Sequence, residues 1–99
     1  MPARRQIGFA AAAVSDLEEI LRYYSEQQVP DGGVRLVEKI LGLVEDLRQY
    51  PDRGRVVPEF DRKNLREIIH PPFRIVYRRD RNRVRIVRVW RGERLLKLP

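Results

Sequence analysis

The chain has 99 residues, no cysteine and one histidine, and it carries 21 Lys and Arg against 14 Asp and Glu, a formal charge of +7. A chain of this size buries roughly two-thirds of its unfolded surface in one core, so a single domain over residues 1–99 is expected. The absence of cysteine excludes disulfides, thiol nucleophiles and zinc-thiolate sites, His70 alone cannot form a histidine cluster, and no apolar run approaches the ~20 residues of a membrane span; no cofactor, metal or membrane partner is expected.

The start of the chain, MPARRQIGFAAAAVSDLEEI, turns acidic and amphipathic after its alanine run, which argues against a signal peptide. Gln6 to Phe9 reads as a short strand with Ile7 and Phe9 on one face. Ser15 and Glu18 have the Ser-x-x-Glu spacing of a capping box, which predicts that a helix begins there. Leu17, Ile20, Leu21 and Tyr24 then form an inward apolar stripe, with Asp16, Glu19 and Glu26 elsewhere on the surface. Pro30, Asp31 and the glycine pair Gly32-Gly33 predict a tight connection in which Asp31 caps a second helix starting near residue 32. Val37, Ile40, Leu41, Val44 and Leu47 continue the helical spacing, widened by Leu36, Leu43 and Tyr50, until Pro51 stops it. The two helices, about 14 and about 18 residues long, form a hairpin.

Pro51 to Asn64 reads as a loop. Leu65 to His70, Ile75 to Tyr77 and Val84 to Trp90 are rich in β-branched and aromatic residues, separated by Pro71-Pro72 and by the turn residues Asp80-Arg81-Asn82. These predict three antiparallel strands. The fold class is therefore α+β, an N-terminal helical hairpin on one face of a small, mainly antiparallel sheet whose other face is open for function. Residues 53–99 hold 15 Lys and Arg against 5 Asp and Glu, whereas residues 1–52 hold 6 against 9, so the halves carry +10 and −3. Such a field favours an acidic partner, either nucleic acid or an acidic protein segment. Solvated sheet arginines are the plainer reading of the same charges. By strand parity Tyr77 belongs to the core with Phe73 and Ile75; Trp90 reads as a core-edge residue or a base-stacking platform, Glu59 as an arginine partner, and His70 as structural.

Asp16-Leu17-Glu18-Glu19-Ile20, Pro51-x-x-Gly54-Arg55, Leu65-Arg66-Glu67, Phe73-Arg74-Ile75-Val76-Tyr77-Arg78 and Val89-Trp90-Arg91-Gly92-Glu93-Arg94 occur in this order over nearly the whole chain. Together they resemble the RelE/ParE superfamily of type II toxin-antitoxin toxins. The resemblance implies a cytoplasmic growth-inhibiting toxin with a ParD- or RelB-like antitoxin as partner. It leaves two targets, DNA gyrase for ParE-like members and mRNA on the ribosome for RelE- or YoeB-like members.

Metal-free RNA cleavage needs a base, cationic donors and an acid. The nuclease alternative assigns these roles among Glu59, Arg66, Arg74 and Arg91, with Glu59 similar to the carboxylate of YoeB-like members. Many relatives carry histidine where this chain has Arg91, and arginine transfers protons poorly. That departure and the long helices favour the ParE-like reading. For either target, or for the antitoxin, the expected contact residues are Arg55, Arg66, Arg74, Arg78, Trp90, Arg91 and Arg94, with Gly92 to Leu96 as an exposed surface.

Overall fold

The β-branched and aromatic runs of the C-terminal half form an antiparallel meander of β3 (Leu65–His70), β4 (Phe73–Arg79) and β5 (Arg83–Arg91). The structure, a computed structural model, describes residues 5–92. A two-residue strand, β2 (Arg55–Val56), lies inside the stretch read as loop and pairs antiparallel with β3. The N-terminal strand β1 (Gln6–Phe9) runs parallel to β5, with Gln6 opposite Arg83 and Phe9 opposite Ile86. The sheet order is β1-β5-β4-β3-β2. This is the α+β architecture expected from the sequence, mainly antiparallel with one parallel pair.

Helix α1 (Ala11–Glu26) starts earlier than the capping box predicts, and Ser15 lies inside it. The reason is the alanine run: Ala11 to Ala13 have the highest helix propensity available and extend the helix back to Ala10, which supplies no side-chain cap. Helix α2 (Pro30–Glu45) begins on the proline read as turn punctuation, because the first helical position needs neither a donor nor a free φ. Asp31 sits in its first turn and caps nothing through its side chain. The helix gives way to a 3-10 turn at Asp46–Arg48, so both helices are 16 residues long and the predicted run to Pro51 is shorter.

Ala13, Ile20, Ile40, Val44 and Leu47 from the helices meet Phe73, Ile75, Tyr77, Val84, Ile86 and Val89 from the sheet. The predicted stripe is wider than the sheet covers: Leu21, Leu41 and Tyr50 are exposed. The second sheet face is also not bare. Val57 packs there with Leu65 and Val76, flanked by Phe60, Val87 and Trp90, so the chain after β2 folds over part of the face expected to be open.

Asp16, read as a surface residue, joins the two layers. Val76 faces Arg88 and Tyr77 faces Ile86, which leaves Val87 as an extra residue and makes a bulge in β5. Beyond the short β1, Asp16 takes the place of a neighbouring strand. Its carboxylate accepts two hydrogen bonds from the Arg88 guanidinium, at 2.8 and 2.9 Å, and one from the Val89 amide at 2.9 Å. Asp16→Ala is expected to lose about 1.5–3 kcal/mol of stability, the range for hydrogen bonds to charged groups. Urea unfolding measures this, and an unchanged midpoint would show that the contact is idle.

Candidate functional site

Strand alternation sends residues 65, 67 and 69 of β3, together with residues 74, 76 and 78 of β4, to the face away from the helices. Glu67 and Arg74 thus meet on that face, with side chains 0% and 10% exposed. Strand β2 completes the group by placing Arg55 directly opposite Glu67. Arg74 Nε donates to Glu67 Oε1 at 2.6 Å, and Arg55 Nε donates to Glu67 Oε2 at 2.7 Å. The outer edge of the Arg74 guanidinium donates to both oxygens of Glu59, at 2.8 and 2.9 Å. A planar guanidinium fits a carboxylate in this two-pronged way, which lysine cannot reproduce.

Of this chain of alternating charges, Glu59, Arg74 and Arg55 line a cleft together with Ile69, Pro71 and Pro72, while Glu67 is buried between the two arginines. The hydrogen bonds from Arg74 lower the Glu59 carboxyl from 4.5 to about 2. Hydrogen bonding to Glu59, and next to Glu67, holds Arg74 still more firmly protonated. The four charges balance and Arg74 donates from Nε, Nη1 and Nη2 to carboxylates, so the exposed carboxylate of Glu59 is a weak base with both oxygens engaged.

The remaining predicted residues separate. Arg66, with the opposite strand parity, lies on the helix side, where Nε donates to the Lys63 carbonyl and Nη1 to the Gly54 carbonyl, each at 3.0 Å. It is not beside Arg74 and Arg78, because residues at one parity in β3 meet the other parity in β4. Arg78 stands on the far face opposite Arg85. Arg91 pairs with Phe73 on the helix side, its guanidinium 5.8 Å from that ring's centroid, and lines a groove against α1 with Tyr23 and Tyr24. Trp90 is half-buried at the rim of the second cluster, with the Arg88 guanidinium 4.3 Å from its ring centroid. Arg94, and the predicted surface beyond Gly92, lie outside the described residues.

Tyr77 is the core residue that strand parity predicts. Its hydroxyl donates to the Pro51 carbonyl at 2.7 Å and accepts from the Gly54 amide at 2.9 Å, so it anchors the start of the chain leading to β2. Burial pushes this phenol up and keeps it a neutral donor. Glu67 was not singled out by sequence reasoning, although its signal was present: it shares strand parity with Leu65 and Ile69 and therefore requires a cationic partner on a packed face. Among the described residues no group of three or more His, Cys, Asp or Glu is placed to hold a metal ion, and no helix is long and apolar enough to cross a membrane.

The helical hairpin on a five-stranded mixed sheet matches the fold of solved toxin-antitoxin structures. Residues 7–96 match the family model described as the ParE toxin of the type II toxin-antitoxin system parDE, and the chain belongs to that family. No curated protein sequence matches the chain. Among solved structures it is similar to the chromosomal ParDE toxin-antitoxin system from P. aeruginosa. That match has 23% identity and a TM-score of 0.76, and covers 91% of this chain and 98% of the other. It is also similar to the toxin-antitoxin complex RelBE2 from Mycobacterium tuberculosis, at 20% identity with a TM-score of 0.65, over 89% of this chain and 98% of the other.

Proposed function

We propose that this ParE-family toxin acts in the cytoplasm as an inhibitor of DNA gyrase and is restrained by a ParD-like antitoxin. The observation that carries the choice of target is the pairing of Arg74 with Glu59. It occupies the carboxylate that the nuclease reading needs as a base and lowers it to about 2, far below the neutral range where a general base works well. The described residues lining that cleft include no histidine, tyrosine or lysine to serve as the acid. Arg66 and Arg91, the other residues assigned to cleavage, face the helix side and do not converge with Arg74.

For the antitoxin, the helices offer the apolar anchors that a tight interface needs. Val14 and Leu21 on α1, and Val34 and Leu41 on α2, are exposed at seven-residue spacing, which places each pair along one line of its helix. The similar P. aeruginosa and M. tuberculosis structures are both described as toxin-antitoxin systems, which supports a partner of this kind.

The test of the target is Glu59→Gln. This change removes the carboxylate and retains its size. Gyrase supercoiling is expected to be inhibited by wild type and variant to within about twofold, whereas a nuclease would lose on the order of 100-fold in ribosome-programmed mRNA cleavage. Cleavage by the wild type that disappears in the variant, with supercoiling untouched, would make the chain an endoribonuclease.

A further inference from the structure

We propose that Arg62, Arg78, Arg83 and Arg85, on the sheet face away from the helices, bind the phosphodiester backbone of a nucleic acid. Arg78 and Arg85 stand directly opposite each other on β4 and β5. Like charges in this arrangement destabilise a sheet, and among the described residues no carboxylate forms an ion pair with either. Among the described residues the side chains of these four arginines have no hydrogen-bond or ion-pair partner, in contrast to Arg55, Arg66, Arg74, Arg79 and Arg88.

Arg83 and Arg85 lie two residues apart before the bulge, on one face and about 7 Å from each other along the strand. Arg62 lines a groove on this face with Arg78 and Arg85, and Asp80 is the one acidic residue lining it among the described residues. Gly8 faces Arg85 across the parallel pair, and a Cβ built there would meet nothing within 4 Å, so the platform beside the arginines is open to close approach.

Phosphate fits this surface better than an acidic protein segment does. A protein partner draws most of its affinity from buried apolar anchors. The apolar residues under this patch, Val57, Leu65 and Val76, are already buried, and the exposed large hydrophobic side chains lie on the helices, beside them, or at Ile69 on the opposite end of the face. Arginine forks without anchors suit a repeating anion, whose binding rests on charge neutralisation and counterion release.

The inference goes beyond the gyrase reading and its test contains no gyrase, so either can fail alone. The purified full chain is titrated into labelled duplex DNA and, separately, single-stranded RNA at several salt concentrations. Arg78→Gln with Arg85→Gln is compared with a control pair of equal charge loss on the helices, Arg22→Gln with Arg35→Gln. The sheet-face pair is expected to lower the slope of log affinity against log salt by about 1.8 on duplex DNA or about 1.4 on single-stranded RNA, and the helix pair to leave it unchanged. The acid bound more tightly identifies the source of the phosphate. Equal slope losses in the two variants would reduce the effect to net charge. Absence of binding at low salt, or equally tight binding of a poly-glutamate peptide of matched charge, would also overturn the proposal.

Discussion

Arg74→Ala is expected to destabilise the protein by about 3–5 kcal/mol, because it removes one partner of a buried ion pair and leaves the other in place. Glu67 has a side chain with 0% exposure and would keep only Arg55, itself 60% exposed, while Glu59 would lose both of its guanidinium hydrogen bonds. Urea unfolding reads the loss. Replacing Glu67 and Arg74 together by leucine is expected to recover much of it, since a matched apolar pair carries no stranded charge. If the double variant is no more stable than Arg74→Ala, the cost comes from packing and not from the unpaired carboxylate.

The same variant changes the response to acid. The Glu59 carboxyl is lowered on folding from 4.5 to about 2, so its contribution is fully present above about 4.5 and disappears as pH falls towards about 2. Without Arg74 the largest cause of that lowering is gone, and only the backbone hydrogen bond at Glu59 and the charge of Arg55 still favour the carboxylate. The stability gap between wild type and variant is therefore expected to narrow through that window.

Tyr77→Phe is expected to be nearly as damaging, although it removes one oxygen from a residue with 0% exposure. The Pro51 carbonyl and the Gly54 amide would both be left in the interior, at about 1–3 kcal/mol for each unpaired group. Gly54→Ala tests the same corner by crowding it. A Cβ there would stand 2.6 Å from the Glu67 carbonyl and 2.7 Å from the Tyr77 hydroxyl. The first obstacle is sheet backbone, so adding Tyr77→Phe is not expected to rescue the alanine variant. Rescue would mean that the hydroxyl alone sets the space.

The helices, the meander and the core position of Tyr77 were legible because each follows from a period of 3.6 or 2 within a few neighbouring residues. Legibility ended where the cause lies far away in sequence. Asp16 reads as one acid on a helix surface until Arg88 and Val89, more than 70 residues later, are brought against it. The pairing of β1 with β5 and the existence of β2 have the same origin, since four and two residues carry too little pattern to show their partners. The boundary of α1 failed for a different reason: the capping spacing at Ser15 was real, but alanine propensity upstream outweighed it. In the candidate site, Glu59 and Arg74 were named and do meet, whereas Arg66 and Arg91 do not join them, because parity is fixed by register and register is not visible in a single strand.

The parallel pairing of β1 with β5 also sets an order of events during synthesis. Gln6 to Phe9 leave the ribosome long before the residues they pair with, Arg83 to Ile86, since the helical hairpin and strands β2 to β4 are made in between. The helical hairpin, which is local, has its partners almost at once, but its sheet does not exist until β4 and β5 have been translated. Closing the first strand onto the fifth is thus a late and long-range step. A message cut or stalled before the codons for β5 yields a chain in which β1 and β4 both lack the strand that lies between them, so the five-stranded sheet cannot close.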